Sequence, residues 1–337
     1  MCPIGIREEL SGESWNACCT LFEDAEFTQS FEWGEAKRYQ GWSPIRLKLT
    51  EKDDCIGALQ GLEKKYFGLR FLYCARGPLW QRRDLCGERC INNLGKVLDA
   101  LREEFPTAIL AYNWHFSTEL VPDEVFQNRG FRQLEQALTS WIDLRSDYES
   151  ILSTFHGKWR NDLRNAERSR VQVRSFEASG KFGDLYEMLE KTAARKGFKI
   201  GLDYKVVNHF LAQHPADKAV ILSALDGQGE ALASALIISF NGLASYLIGA
   251  SISSSHPAFV RGASNLIQLE AIRWAQNNDN DAYNLEGLDP KGNPGVYHFK
   301  KRMNGRVCVK KGLWMWTNNQ MKTTILGSMM KTRMSLQ

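Results

Sequence analysis

Cations set beside aromatic rings are the side chains whose spacing could do chemistry in this sequence. Gln29-Ser30-Phe31-Glu32-Trp33, with Lys37 four residues on, opens an early helix, and Ser30 has the residue type of its cap. Lys158-Trp159-Arg160-Asn161-Asp162-Leu163-Arg164-Asn165-Ala166-Glu167-Arg168 forms a basic stretch around one indole. Tyr246, then Gly249-Ala250-Ser251, closes an apolar hairpin, and Asn284-Leu285-Glu286-Gly287-Leu288-Asp289 leaves a later strand. Gly295-Val296-Tyr297-His298-Phe299-Lys300-Lys301 follows, with Arg302 next, before Asn304-Gly305 turns the chain. Such residues recognise anionic groups: arginine meets phosphate oxygens bidentately, and lysine acts as a point charge. Glu286 and Asp289 are the carboxylates near these blocks that could take a proton.

Other chemistries find no pattern. There is no G-x-x-x-x-G-K-[ST] phosphate cradle, no G-x-S-x-G nucleophile elbow and no H-E-x-x-H metal motif. The six histidines are scattered, and His209 and His214 lie five apart, off one helix face. The eight cysteines include no C-x-x-C pair; Cys86 and Cys90 have no second pair to complete a zinc site. Reduced thiols of a cytosolic protein are the expectation, with no signal peptide in MCPIGIREEL. The net charge of +4 says little, but its distribution says more. Beyond Asp289 there are ten lysines and arginines and no carboxylate side chain, a bias toward anionic partners.

The elements that must position these residues repeat. Ser14–Glu23 and Ser30–Tyr39 read as helical, and Ser43–Thr50, Cys55–Glu63 and Leu69–Ala75 as a strand meander. Glu88–Phe105 carries Leu94, Val97, Leu98 and Leu101 on one helical stripe, and Ala108–Tyr112 follows as a buried strand. The second half runs in the same order. Phe182–Lys196 is a helix; Ala219–Leu225, Ala231–Phe240 and Leu243–Ser251 are strands. A helix over Ser264–Gln276 and a strand over Ala282–Leu285 complete it. Residues 231–250 lack charge over the length of a membrane span, but Asn241-Gly242 supplies a type I′ turn and makes a buried hairpin the reading. Asp147–Arg170 reads as one long basic helical stretch. Helix, meander, helix, strand occurring twice predicts an α+β fold of two domains, residues 1–145 and 146–320, followed by a basic tail, 321–337. Without a low-complexity linker, the two are expected to pack together.

Taken in order, these blocks resemble the FemAB family of peptidoglycan-bridge aminoacyltransferases, from about Phe27 to Gly312. The Gln29-Ser30-x-x-Trp33 opening, the Arg160-Asn161-x-x-Arg164-x-Ala166 helix, the Gly249-Ala250-Ser251 strand end and the Tyr297-x-Phe299-Lys300 block carry the likeness. The resemblance implies two tandem GNAT-like domains, each a mixed, mostly antiparallel sheet flanked by helices, without a coiled-coil insert. It implies peptide-bond formation between an amino acid carried on tRNA and an amine of a cell-wall precursor, a UDP- or lipid-linked muropeptide. No metal and no tightly bound cofactor are expected, because a neutral amine attacks an activated ester directly. Lys37 and Arg195 are implied to clamp the precursor's diphosphate, with Trp33, Tyr246, Tyr297 and Lys300 also toward the acceptor. Arg164, Arg261, Gly262, Asn265, Lys301 and Arg302 are assigned to the donor and its phosphates, the Lys300–Lys311 stretch included as a tRNA footprint. Val260–Asn265 stands where a GNAT enzyme holds the coenzyme A pyrophosphate. The alternative is therefore an acyl-CoA-dependent N-acyltransferase acting on an amino sugar of an exported polysaccharide. The location expected is cytoplasmic, with peripheral contact at the inner membrane face for a lipid-linked acceptor.

Overall fold

The structure is a computed structural model that describes residues 4–9, 11–66 and 68–318. It separates into two compact units: the chain up to Ala137 together with the chain from Val309, and Leu138–Cys308. The first unit begins with β1 (Gly5–Glu8), α1 (Gly12–Cys19), α2 (Phe31–Lys37), β2 (Ser43–Glu51), β3 (Asp54–Tyr66) and β4 (Leu69–Ala75). Next come α3 (Glu88–Glu104), β5 (Ile109–Ser117), α4 (Glu124–Gln127) and β6 (Arg132–Glu135). The second unit holds β7 (Leu138–Asp143), α5 (Tyr148–Thr154), α6 (Gly157–Arg168), β8 (Gln172–Glu177), α7 (Ala178–Lys196) and α8 (Tyr204–Gln213). Its meander is β9 (Ala219–Leu225), β10 (Ala231–Phe240) and β11 (Leu243–Ser251), followed by α9 (Ala263–Asn277), β12 (Ala282–Leu288) and α10 (Pro294–Lys301). Strand β13 (Arg306–Trp316) then carries the chain back into the first unit from Val309.

In the first unit the strands run β1-β2-β3-β4-β5-β13, with β6 also pairing β13. All pairs are antiparallel except β4 with β5, which run parallel from Phe71 beside Ile109 to Ala75 beside Asn113. The α3 stripe of Leu94, Val97, Leu98 and Leu101 is buried with Leu59, Leu72 and Leu110. In the second unit the order is β7-β12-β11-β10-β9-β8. Here β11 and β12 are the parallel pair, in register only from Leu243–Ala282 to Ser245–Asn284. Each unit thus has a mixed, mostly antiparallel sheet with helices packed on it, the expected α+β class. The Asn241-Gly242 turn takes φ of 53° and 81°, as a type I′ turn requires, and β10 and β11 pair as the expected hairpin. Among the described residues no helix is long and apolar enough to cross a membrane, and no group of histidine, cysteine and acidic side chains could hold a metal ion.

Several expectations are corrected. The basic stretch from Asp147 is two helices, because Phe155 and His156 take extended backbone and His156 caps α6 by accepting from the Lys158 N–H at 3.1 Å. The first unit ends after Ala137, not residue 145, and β13 returns to it instead of ending the second unit. Its Leu313, Trp314 and Met315 pair with β5 and β6 and lie buried. The basic tail, 321–337, lies outside the described residues. Strands β1, β8 and β13 and helices α8 and α10 were not anticipated. In β13 the alternation is masked by Lys310 and Lys311, both buried. The Lys311 ammonium donates to the Val121 carbonyl at 2.7 Å and pairs with Asp123, while Lys310 donates to the His115 ring at 3.2 Å. These two lysines are therefore internal ties of the first unit and not part of a solvent-facing basic footprint.

A half-buried carboxyl gives the first unit a pH signature. Asp24 accepts from the backbone N–H groups of Gln81 at 3.0 Å and Trp80 at 3.3 Å. Burial pushes its pKa up to about 7 despite those hydrogen bonds. A carboxyl whose folded pKa is raised stabilises most below its unfolded pKa and loses that contribution as pH rises through the folded value. Between about pH 4 and about pH 7, Asp24→Asn is expected to gain stability steadily relative to the native chain. Urea midpoints at pH 4.5 and 7.5 check this; parallel midpoints for the two proteins would contradict it.

Candidate active site

The Gln29-Ser30-x-x-Trp33 block proves to be a hinge of hydrogen bonds. The Ser30 hydroxyl caps α2 by accepting from the Trp33 N–H at 3.2 Å. Gln29 is buried; its amide donates to the Ala75 carbonyl at 2.7 Å and the Gln60 carbonyl at 3.2 Å, and its oxygen accepts from the Gln60 N–H at 2.9 Å. Three bonds to strands β3 and β4 thus fix where α2 starts. Gln29→Ala orphans those strand groups and is expected to cost about 3 kcal/mol of stability, read as a lowered urea midpoint; a change under about 0.5 kcal/mol would show that water replaces the amide.

On α2, Trp33 is buried edge-on against Phe27 at 5.2 Å between ring centroids. Lys37 lies 5.1 Å over the Trp33 ring and donates to Gln40 at 3.0 Å, its side chain mostly buried. Beside it, Arg46 donates to Gln60 at 2.7 Å and pairs with Glu35 at 2.9 Å. Sequence reading did not single out Arg46, Glu35 or Gln60; the signal available was Arg46, a charge at an inward position of β2. Gly34 gives them room, since a Cβ there would meet Gln60 Oε1 at 2.3 Å and Arg46 Nη2 at 2.6 Å.

In the second unit the candidate residues gather where β11 and β12 stop pairing. Beyond Ser245 and Asn284, β11 continues along β10 and β12 continues along β7, so the parallel pair splays. Lys300, buried at 6% exposure near the end of α10, donates to the Gly287 carbonyl of β12 at 3.0 Å. Its ammonium also lies 5.4 Å over the ring of Tyr246 on β11, so one cation spans the splay. Burial raises the Tyr246 pKa to about 12, which keeps this phenol neutral. Glu286 adopts φ of 60°; its N–H donates to Asn284 Oδ1 at 2.9 Å and its carboxylate accepts from Asn284 Nδ2 at 3.1 Å. Asn284 is buried and its Oδ1 also accepts from Thr139 at 2.8 Å. Tyr246, Glu286 and Lys300 are therefore brought together with Asn284, which the sequence reading had noted without a role.

The remaining candidates lie apart from this cluster. Asp289 is exposed and accepts from the N–H groups of Lys291 at 3.0 Å and Gly292 at 2.7 Å, closing a turn. Arg195, exposed in the last turn of α7, donates to the Ser251 carbonyl at 3.2 Å. That is five residues along β11 from Tyr246, roughly 16 Å of extended chain. Tyr297 is half-buried with the exposed Lys301 5.6 Å over its ring; Arg302 is half-buried, and its carbonyl accepts from the His156 N–H at 2.9 Å. Arg164, exposed on α6, bonds Asn161 at 2.8 Å. Arg261, Gly262 and Asn265 sit at the seam between α6 and α9. Asn165 donates to the Arg261 carbonyl at 2.9 Å, and Asn265, buried, donates to the Trp159 carbonyl at 3.1 Å. Gly262 takes φ of 99°, and a Cβ on it would stand 1.9 Å from the Asp162 carbonyl oxygen.

Comparison with known proteins follows the same geometry. Residues 213–329, which carry the hairpin, β12 and α10, match the model of the FemAB family. Over that stretch the chain resembles the FemAB family. A relative from Weissella viridescens, UDP-N-acetylmuramoylpentapeptide-lysine N(6)-alanyltransferase, is 22% identical over 293 residues, 82% of this chain and 84% of its own. The crystal structure of FemX superposes with a TM-score of 0.78 at 16% identity, covering 96% of this chain and all of that one. A tandem GNAT protein from the clavulanic acid biosynthesis pathway gives 0.51 at 9% identity, covering 93% and 98%. The chain thus shares the tandem GNAT fold with proteins of little sequence likeness.

Proposed function

We propose that this FemAB-like transferase joins an activated amino acid to an amine of a cell-wall precursor, with the β11–β12 splay of the second unit as the reaction site. The buried Lys300 ammonium, held between the Gly287 carbonyl and the Tyr246 ring, carries the reading. A neutral amine attacks the ester carbonyl; the carbon–nitrogen bond forms as negative charge collects on the carbonyl oxygen. Collapse expels the carrier's hydroxyl, and the amine's surplus proton leaves to a base. A fixed, buried cation stabilises that oxyanion without reorganising. Glu286, next to Gly287 on β12, is the carboxylate we propose to receive the proton. The product is an amide, and no covalent intermediate is needed.

The Weissella relative acts on a UDP-linked muramoyl pentapeptide, by its name, which supports a precursor of that kind here. The donor we infer is aminoacyl-tRNA. The loop expected to cradle coenzyme A phosphates is covered by α6 through Gly262, Arg261 and Asn265, which favours another carrier. Lys37 and Arg195 remain the cations proposed for the precursor's phosphates, and peripheral membrane contact would follow only from a lipid-linked acceptor. Aminoacyl-tRNA and acetyl-CoA, offered separately with a UDP-muramoyl pentapeptide, test the reading: transfer from acetyl-CoA alone would reject it. Arg195→Ala is expected to weaken precursor binding about tenfold, in keeping with one charge-assisted contact of about 1.4 kcal/mol. Unchanged affinity by calorimetry would reduce Arg195 to a tie on Ser251.

A further inference from the structure

Two thiols of the first unit meet outside the proposed reaction site. The Cys18 and Cys55 sulfurs lie 3.9 Å apart, across 37 positions of chain. Cys18 is next to last in α1, and Cys55 is second in β3. Both are free and buried, at 6% and 5% exposure. Each nevertheless stands at the edge of its element. Ala17 and Thr20 around Cys18 are exposed, as are Lys52, Asp53 and Asp54 ahead of Cys55.

A disulfide requires the two sulfurs to close to about 2 Å. Element ends can supply that movement. Helix α1 stops one residue after Cys18, and Cys55 pairs with Thr50 where the register of β2 on β3 shifts. The electrostatics of the pair are unequal. The contact with the Cys18 thiol lowers the Cys55 pKa, burial opposes it, and the charges of Lys48 and Arg82 add to the lowering. The same contact, with burial, raises the pKa of Cys18. Cys55 is therefore the readier thiolate, and Cys18 is the partner that keeps its proton. Neighbouring Cys19 differs: burial pushes its thiol up, and it donates to the Gln29 carbonyl at 3.6 Å.

We propose that Cys18 and Cys55 form a peroxide-sensitive dithiol that closes to a disulfide between α1 and β3. The Cys55 thiolate attacks one oxygen of hydrogen peroxide; the O–O bond breaks, the other oxygen leaves as water, and Cys55 becomes a sulfenic acid. The Cys18 sulfur then attacks the Cys55 sulfur, its proton passing to the departing oxygen, and a second water leaves. The two thiols lose two electrons, and the peroxide gains them. The bond would fix α1, whose Trp15 indole donates to the Gln29 carbonyl at 2.7 Å and whose Asn16 accepts from the Phe31 N–H at 2.9 Å, just ahead of α2. Its failure would leave the transfer reaction untouched. In the test, the full-length protein is treated with hydrogen peroxide, remaining thiols are alkylated in denaturant, and the peptides are mapped by mass spectrometry. The expected result is a Cys18–Cys55 linked pair in most chains, two hydrogens lighter than its separate peptides and dissolved by dithiothreitol. Cys19→Ser should keep the linkage, and Cys55→Ser should remove it. Alkylation of both Cys18 and Cys55 in the native chain, a linkage only between Cys86 and Cys90, or a linkage lost in Cys19→Ser would overturn the proposal.

Discussion

Replacing Lys300 with methionine is expected to slow amino-acid transfer by about 100- to 1,000-fold, the usual loss when one oxyanion donor is removed. Methionine fills nearly the same space, so the apolar stem keeps its packing near Tyr246 while the charge goes. The lost hydrogen bond to the Gly287 carbonyl costs only about 1–2 kcal/mol of folding stability, because other groups hold β12 to β7. Single-turnover transfer with saturating precursor separates the two effects: the transfer rate should fall while precursor affinity stays within about threefold, since in the proposed reaction the cation acts when charge develops on the ester oxygen. Lys300→Arg should keep part of the rate, as it retains the charge but displaces it. A methionine variant with nearly native turnover would remove Lys300 from the chemistry and leave the splay without its reaction.

Gly262→Ala is expected to be the most damaging single-methyl change in the second unit. The backbone there holds φ of 99°, which disfavours any Cβ, and the new carbon would be driven to 1.9 Å from the Asp162 carbonyl oxygen. Because that oxygen is backbone in the middle of α6, relief requires α6 to shift off α9. The shift would strain the Asn165 and Asn265 bonds that cross the same seam. A loss of about 3 kcal/mol or more is the expectation, from αL strain and overpacking together. Gly227→Ala is the matched control, since a Cβ there meets nothing within 4 Å; it should move the urea midpoint by less than about 0.5 kcal/mol. Equal midpoints for the two variants would mean that the seam yields, and that Gly262 has some role other than packing.

Much of this architecture was legible because the signals were local. The α3 stripe at spacings of three and four predicted a helix with that buried face, and Asn241-Gly242 predicted the turn between β10 and β11. Strands β9, β10 and β11 fall at the expected residues because their apolar runs are bounded by turn chemistry. Strand β13 was missed for the opposite reason. Its lysines look solvent-facing in sequence, and only partners far along the chain, Val121 and Asp123 for Lys311 and His115 for Lys310, make their burial tolerable. The residue types of the site were visible: Lys300, Tyr246 and Glu286 stood out as cation, ring and carboxylate. Gln29 was visible only as part of a motif, although its three bonds are what place α2.

By itself, then, the sequence determined the two α+β halves, the turns between their strands and the group of polar side chains from which a site would be built. These depend on periodicity and backbone preference over a few residues, which short-range order records. Tertiary structure alone decided which cation is buried at the splay and which glycine serves a helix seam. It also returned the last strand to the first unit. Those outcomes depend on groups tens to hundreds of residues apart meeting within a few ångströms, where the cost of burying a charge or crowding a backbone is set by the partner.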